Sequence, residues 1–153
     1  MFRASRDKVY TQFDMRFARL VFWIAGIYGL VLTAPLYLME AKIGHDYAPL
    51  ITHPEFYYGF AGVTLAWQLV FLLIGGNPAR YRPIMLAAIV EKLTYSIAIV
   101  GLALQNRIAA PIAVTGIPDF LLAVLFAMAW LRTGKSESRR RHGADEENAA
   151  TGL

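Results

Sequence analysis

The chain has 153 residues and no cysteine; 57% of its residues are hydrophobic and 17% are charged, with a mean hydropathy of +0.43. A soluble domain of this length rarely reaches that value, and the lack of cysteine excludes disulfides, thiol nucleophiles and iron–sulfur ligation. The formal net charge is +4, but the basic residues flank apolar runs, which is a membrane-topology pattern and argues against a nucleic-acid partner.

Residues 1–19 form a basic N-terminal segment with Arg3, Arg6, Lys8, Arg16 and Arg19. The first apolar run follows, Leu20 to Met39, "LVFWIAGIYGLVLTAPLYLM". Crossing about 30 Å of hydrocarbon takes roughly 20 such residues. No small-x-small cleavage site ends the run, so it reads as a retained membrane helix and not as a signal peptide. A polar stretch, Glu40 to Phe56, comes next and is expected to be an exposed outer loop. Its Glu40, His45, Asp46, His53 and Glu55 are metal-ligand residue types without a recognised spacing, so no metal is expected. Pro54, preceded by Thr52 and His53, has the form of a helix start.

The second run is Tyr57 to Ile74, closed by Gly75 and Gly76. Its Gly59, Gly62 and Ala66 suggest a packing seam. The turn "NPARYRP" leads into the third run, Ile84 to Leu104. The fourth, about Ile108 to Leu131, contains Pro111, Gly116 and Pro118, which predict a kink in its first half. Ala123 and Ala127 mark a seam beyond it. Residues 132–153 are polar, with blocks of charge and no apolar period, and are expected to be disordered. Arg139 to Arg141 read as an anchor beside the headgroups. The predicted fold is therefore an all-α four-helix transmembrane bundle over 20–131, with spans at about 20–39, 57–76, 84–104 and 108–131.

Direction follows from the basic residues. Five precede the first run, two lie between the second and third, and five follow the fourth. The opposite side has only Lys42 and Arg107. Both termini are thus predicted to be cytoplasmic, in a multi-pass membrane protein.

Polar side chains at membrane depth carry the functional argument, because charge there is costly and is kept for a reason. At about 1.5 Å of rise per residue, Glu91 lies about 10 Å into its span, Lys92 about 12 Å and Tyr95 about 17 Å. Asp119 in the fourth run and Gln68 in the second lie near the midplane, and Tyr28 in the first lies at similar depth. Ala87, Ala88, Glu91, Tyr95 and Ala98 share one stripe of the third helix, expected to face the bundle with Glu91 bonded to Tyr95. Lys92 sits about 100° round from Glu91, so no direct pair within the helix is expected. It either snorkels to the interface or reaches Asp119. A buried carboxylate left unpaired takes up a proton. No histidine lies inside a span and no cofactor motif is present, so no cofactor is expected.

Four short-looped spans, the "NPARYRP" turn and the missing cofactor motif resemble the small four-helix membrane proteins of bacteria, including the DoxX-like group, over about Leu20 to Leu131. The resemblance implies an accessory or scaffold protein of the inner membrane. Glu91, Asp119, Tyr28 and Tyr95 are also similar in kind to the intramembrane groups of the emopamil-binding and sterol-isomerase-like proteins. That resemblance implies one carboxyl as proton donor and the other as base or cation stabiliser. Three readings stand: an accessory or scaffold protein with a buried polar layer, a binder of or enzyme on a lipid-like small molecule, and a small proton-coupled exporter working as a dimer through Glu91. The expected partners are the lipid bilayer, a lipid-like small molecule, and a second copy or another membrane protein.

A topology reporter fused after Leu153 should behave as cytoplasmic. Periplasmic reporter activity at that position would overturn the orientation.

Overall fold

An apolar run in lipid must satisfy its backbone within itself, and these runs do so as helices. The computed structural model describes the backbone of residues 2–46 and 50–151, and side chains over 12–46, 50–135 and 138. In chain order the elements are α1 (Phe2–Thr33), α2 (Leu36–Asp46), α3 (Pro54–Gly76), α4 (Arg82–Leu104), α5 (Ala110–Ala113) and α6 (Gly116–Thr151). No strand occurs among the described residues. Four stretches are long and apolar enough to cross a membrane: Gln12–Thr33, Pro54–Gly76, Arg82–Leu104 and Ala110–Lys135. This is the architecture of a small integral membrane protein.

The boundaries differ from the sequence expectation where proline intervenes. The first span does not run from 20 to 39. Pro35 has no N–H to give and crowds the residue before it, so α1 ends at Thr33 and the apolar stretch is completed from Gln12 onward. The chain restarts as α2, so the first part of the expected outer loop, Glu40 to Asp46, is helix. Lys42 and Asp46 pair one turn apart there at 2.7 Å. The bonds from Lys42 and His45 hold the Asp46 carboxyl below the ordinary carboxylate range. The expected start at Pro54 is present, with His53 as the flanking residue and Pro54 in the first turn of α3.

α4 ends in a helix-stop motif. Asn106 takes a left-handed φ of 53°, its N–H reaches the Ala103 carbonyl at 3.0 Å, and the Arg107 N–H reaches the Leu102 carbonyl at 2.9 Å. The kink expected in the fourth span is a full break at Val114 and Thr115 between α5 and α6. α6 keeps helical backbone to Thr151, so helix covers most of the segment 132–153 expected to be disordered. Glu, Ala and Arg are good helix formers, and an existing helix extends more readily than a new one nucleates. The side chains of Arg139 to Arg141 lie outside the described residues.

The helices pack in the order α3, α1, α6, α4. α1 packs along both α3 and α6, α4 packs along α6, and α3 and α4 touch little although consecutive in sequence. The core is aromatic. Phe22 of α1 stacks on Phe126 of α6 with centroids 4.2 Å apart, and Phe71 of α3 meets Phe126 edge-on at 5.0 Å. All three rings are fully buried. The α1–α3 seam depends on glycines where backbones approach. A methyl group on Gly26 would strike Leu72, and one on Gly75 would strike Trp23. Gly59 has open space around it and Ala66 is exposed, so the expected seam at Gly59 and Ala66 is instead carried by Ala61, Gln68, Phe71 and Ile74. Ala123 is buried, as its spacing suggested.

Arginines clasp aromatics at one end of the bundle. Arg132 lies 4.4 Å over the Phe17 ring, and Arg82 lies 4.7 Å over Trp130 while also reaching the Trp130 carbonyl at 3.4 Å. The early part of α1, the α3–α4 turn and the distal part of α6 therefore share one end.

Phe126→Ala should remove both ring contacts and cost about 3 kcal/mol. Reversible unfolding in mixed micelles measures it. A loss well under about 1 kcal/mol would mean that the three rings do not form the core.

Candidate functional site

Lys92 lies ten residues from the start of α4 and twelve from its end, at the middle of the span. It is 5% exposed, so it does not snorkel. The buried face of α4 is Met85, Ala88, Lys92, Ser96 and Ile99. The expected bundle stripe of Ala87, Ala88, Glu91, Tyr95 and Ala98 is thus displaced by about one residue: Ala88 is buried, Ala87 and Ala98 are exposed, and Glu91 and Tyr95 are half-buried. Rotating the helix so that Lys92 faces inward keeps its ammonium away from lipid.

The ammonium has three neighbours. Asp119 Oδ1 lies 3.1 Å away, Glu91 Oε2 3.4 Å and Glu91 Oε1 3.5 Å. The Phe71 ring centroid is 5.4 Å from Nζ, which seats the cation against the aromatic core. The pairing with Asp119 matches one of the two fates expected for Lys92. The direct pair with Glu91 was not expected, since adjacent helical residues diverge by 100°; both long side chains bend into the same cavity and meet there. Glu91 Oε2 is buried and accepts no hydrogen bond among the described residues.

Asp119 stands in the first turn of α6 and still lies within the apolar span, because α5 supplies the preceding part. Its carboxylate therefore faces the partly positive end of a helix as well as Lys92. The break before α6 is tied to α4. Ser96 Oγ donates to the Lys92 carbonyl at 2.9 Å and approaches the Gly116 carbonyl at 3.3 Å. Tyr95 does not bond Glu91; its hydroxyl pairs with Thr115 Oγ1 at 2.9 Å, and Thr115 Oγ1 also donates to the Ile112 carbonyl at 2.7 Å. Gly116 permits this approach, since a Cβ there would lie 3.0 Å from Ile99 Cγ2.

On the opposite wall Gln68 is buried, and its amide donates to the Thr64 carbonyl at 2.9 Å. Its Oε1 fills the space a side chain at Gly29 would take. Thr33 Oγ1 donates to the Gly29 carbonyl at 2.8 Å. Tyr28 lies one residue before this contact and is 43% exposed.

These walls line an open-sided cavity of about 670 Å³. Tyr28, Gln68, Glu91, Lys92, Tyr95 and Asp119, the six residues singled out by depth in the sequence, all line it. Sequence depth missed Gly29, Thr33, Ser96 and Thr115, and only Thr115 left a trace, in the Gly and Pro beside it. Between α3 and α4 the lining continues to exposed Phe60, Val63 and Thr94, so the cavity reaches the outer surface of the bundle where those helices separate.

The outer cluster divides into separate contacts. His45 is 3.3 Å from Asp46, His53 is 3.1 Å from Glu55, and the Tyr58 hydroxyl donates to Glu40 at 2.8 Å. Among the described residues no three of His, Cys, Asp and Glu come together as a metal site. No protein-family model, curated protein or solved structure matches this chain.

Lys92→Met should be strongly destabilising, by about 3 kcal/mol, because it leaves two half-buried carboxylates without their shared cation. Asp119→Asn should cost less, since Lys92 keeps Glu91. Adding Asp119→Asn to Lys92→Met should recover part of the loss. Unfolding of the four proteins in one detergent gives the coupling, and additive losses would show that Lys92 and Asp119 do not interact.

Proposed function

We propose that this protein binds a lipid-like amphiphile within the membrane, with the apolar part among the cavity walls and the polar head at Lys92, Glu91 and Asp119. One observation carries the reading: a cavity of about 670 Å³ brings together Glu91, Lys92 and Asp119, the charged side chains deep in the third and fourth spans, and it reaches the bundle surface between α3 and α4. A pocket with mostly apolar walls and a few converging polar groups is the usual form of a small-molecule site. A scaffold has no need of such a space; sealed packing around the ion group would serve it better. The accessory reading implied by the DoxX-like resemblance therefore ranks second. A cytoplasmic position for both ends belongs to the same proposal and is supported by the basic residues, and placement in the inner membrane is what the DoxX-like resemblance implies.

Binding is the function proposed.

The test uses Trp67, which lines the cavity, in a protein carrying Trp23→Phe and Trp130→Phe. In nanodiscs, a chain-brominated dodecanol should quench Trp67 along a saturating curve. Quenching in strict proportion to the mole fraction of probe would indicate contact with bulk lipid only, and the scaffold reading would replace this one.

A further inference from the structure

The charge count in the cavity is unequal. Glu91, Lys92 and Asp119 are the ionisable acids and bases along its walls apart from the phenols Tyr28 and Tyr95. With all three ionised the group carries one negative charge in excess. Lys92 is fully engaged: Asp119 and Glu91 lie on two sides and the Phe71 ring on a third. A second anion would have to displace a carboxylate from it.

The unmet need is on the acid side. Glu91 Oε2 is buried and accepts no hydrogen bond among the described residues, and the nearby ammonium reaches it at 3.4 Å without bonding geometry. An unbonded carboxylate oxygen in low dielectric is costly, and a charged N–H donor satisfies it best. Aromatic faces complete the environment, with Tyr28, Phe60, Trp67 and Tyr95 on the same walls. Such faces favour a cation over an anion.

Resting on the binding function proposed above, we propose that the amphiphile is cationic: an alkyl amine whose protonated head donates to Glu91 Oε2 and restores neutrality, with its chain lying toward the α3–α4 opening. A neutral alcohol can make the same hydrogen bond but not cancel the charge. A carboxylate head adds to the excess and is rejected.

Three probes of equal chain length separate these cases: dodecylamine, dodecanol and dodecanoate, each competing with the brominated dodecanol for Trp67 in neutral nanodiscs. Dodecylamine should compete at least about tenfold more strongly than dodecanol, and dodecanoate should be the weakest. Glu91→Gln and Asp119→Asn each make the group neutral by a different route. Both should abolish the preference for the amine, read within each variant as the ratio of amine to dodecanol competition. Helical circular dichroism of each variant shows whether it has folded, and either one suffices. If amine and alcohol compete equally in the parent, the cationic head is wrong and amphiphile binding stands. If the preference survives in a folded variant, Glu91 and Asp119 do not set it and the inference falls. If the brominated probe never saturates, binding itself fails, a result separate from either of these.

Discussion

A single ammonium at the middle of a membrane span sets the terms for the rest of this structure. Lys92 is buried and does not extend to an interface, so protein must supply its counter-charge. Asp119 does so at 3.1 Å and Glu91 at 3.4 Å. That demand fixes which face of α4 turns inward and which turn of α6 lies opposite. It also fixes the position of the aromatic core, because Phe71 meets the ammonium on one side and Phe126 on the other. A buried ion pair is weak evidence for stability, since desolvation cancels most of the attraction. Its strength lies in selectivity: any register of α4 against α6 that separates the charges is far worse than the one observed.

The second constraint is the interrupted fourth span. A broken helix frees carbonyl and amide groups that lipid cannot satisfy. Here the break faces α4, and Ser96, Tyr95 and Thr115 bond to it or across it. The interruption also creates a helix start at membrane depth and puts Asp119 in its first turn. A continuous helix would leave that carboxylate with Lys92 alone. The break, the hydroxyl bonds and the ion group are one arrangement, and the cavity is the space they leave beside α1 and α3.

Much of this was legible in the sequence, for identifiable reasons. Span number follows from the length of the apolar runs, and a polar residue inside such a run is conspicuous, which is why six residues chosen by depth alone line one cavity. The angle of each helix about its own axis was harder to read. Small residues suggested Ala87, Glu91 and Tyr95 as the inward stripe of α4, but the side chain with most to lose in lipid decided the matter, and that was Lys92. The apolar run continues past Pro35 in the sequence, yet the helix ends just before it. Gly29 and Gln68 could not be paired by eye, since their contact depends on the close approach of α1 and α3. The separation of α3 from α4 was equally hidden, because a short turn normally implies packed neighbours.

The pairing of charges between α4 and α6 bears on how the chain is made. Synthesis proceeds from the N-terminus, so α4 leaves the ribosome well before Asp119 does. In that interval Lys92 is a mid-span cation, a type of residue that costs about 2.5–3.5 kcal/mol on insertion scales. Glu91 travels beside it on the same helix and serves as its first partner, so the hairpin of α3 and α4 need not wait in the insertion machinery with a bare charge. In the folded chain the ammonium is shared between Glu91 and Asp119. A partner on the neighbouring residue of the same helix thus gives the ammonium a counter-charge that does not wait for Asp119.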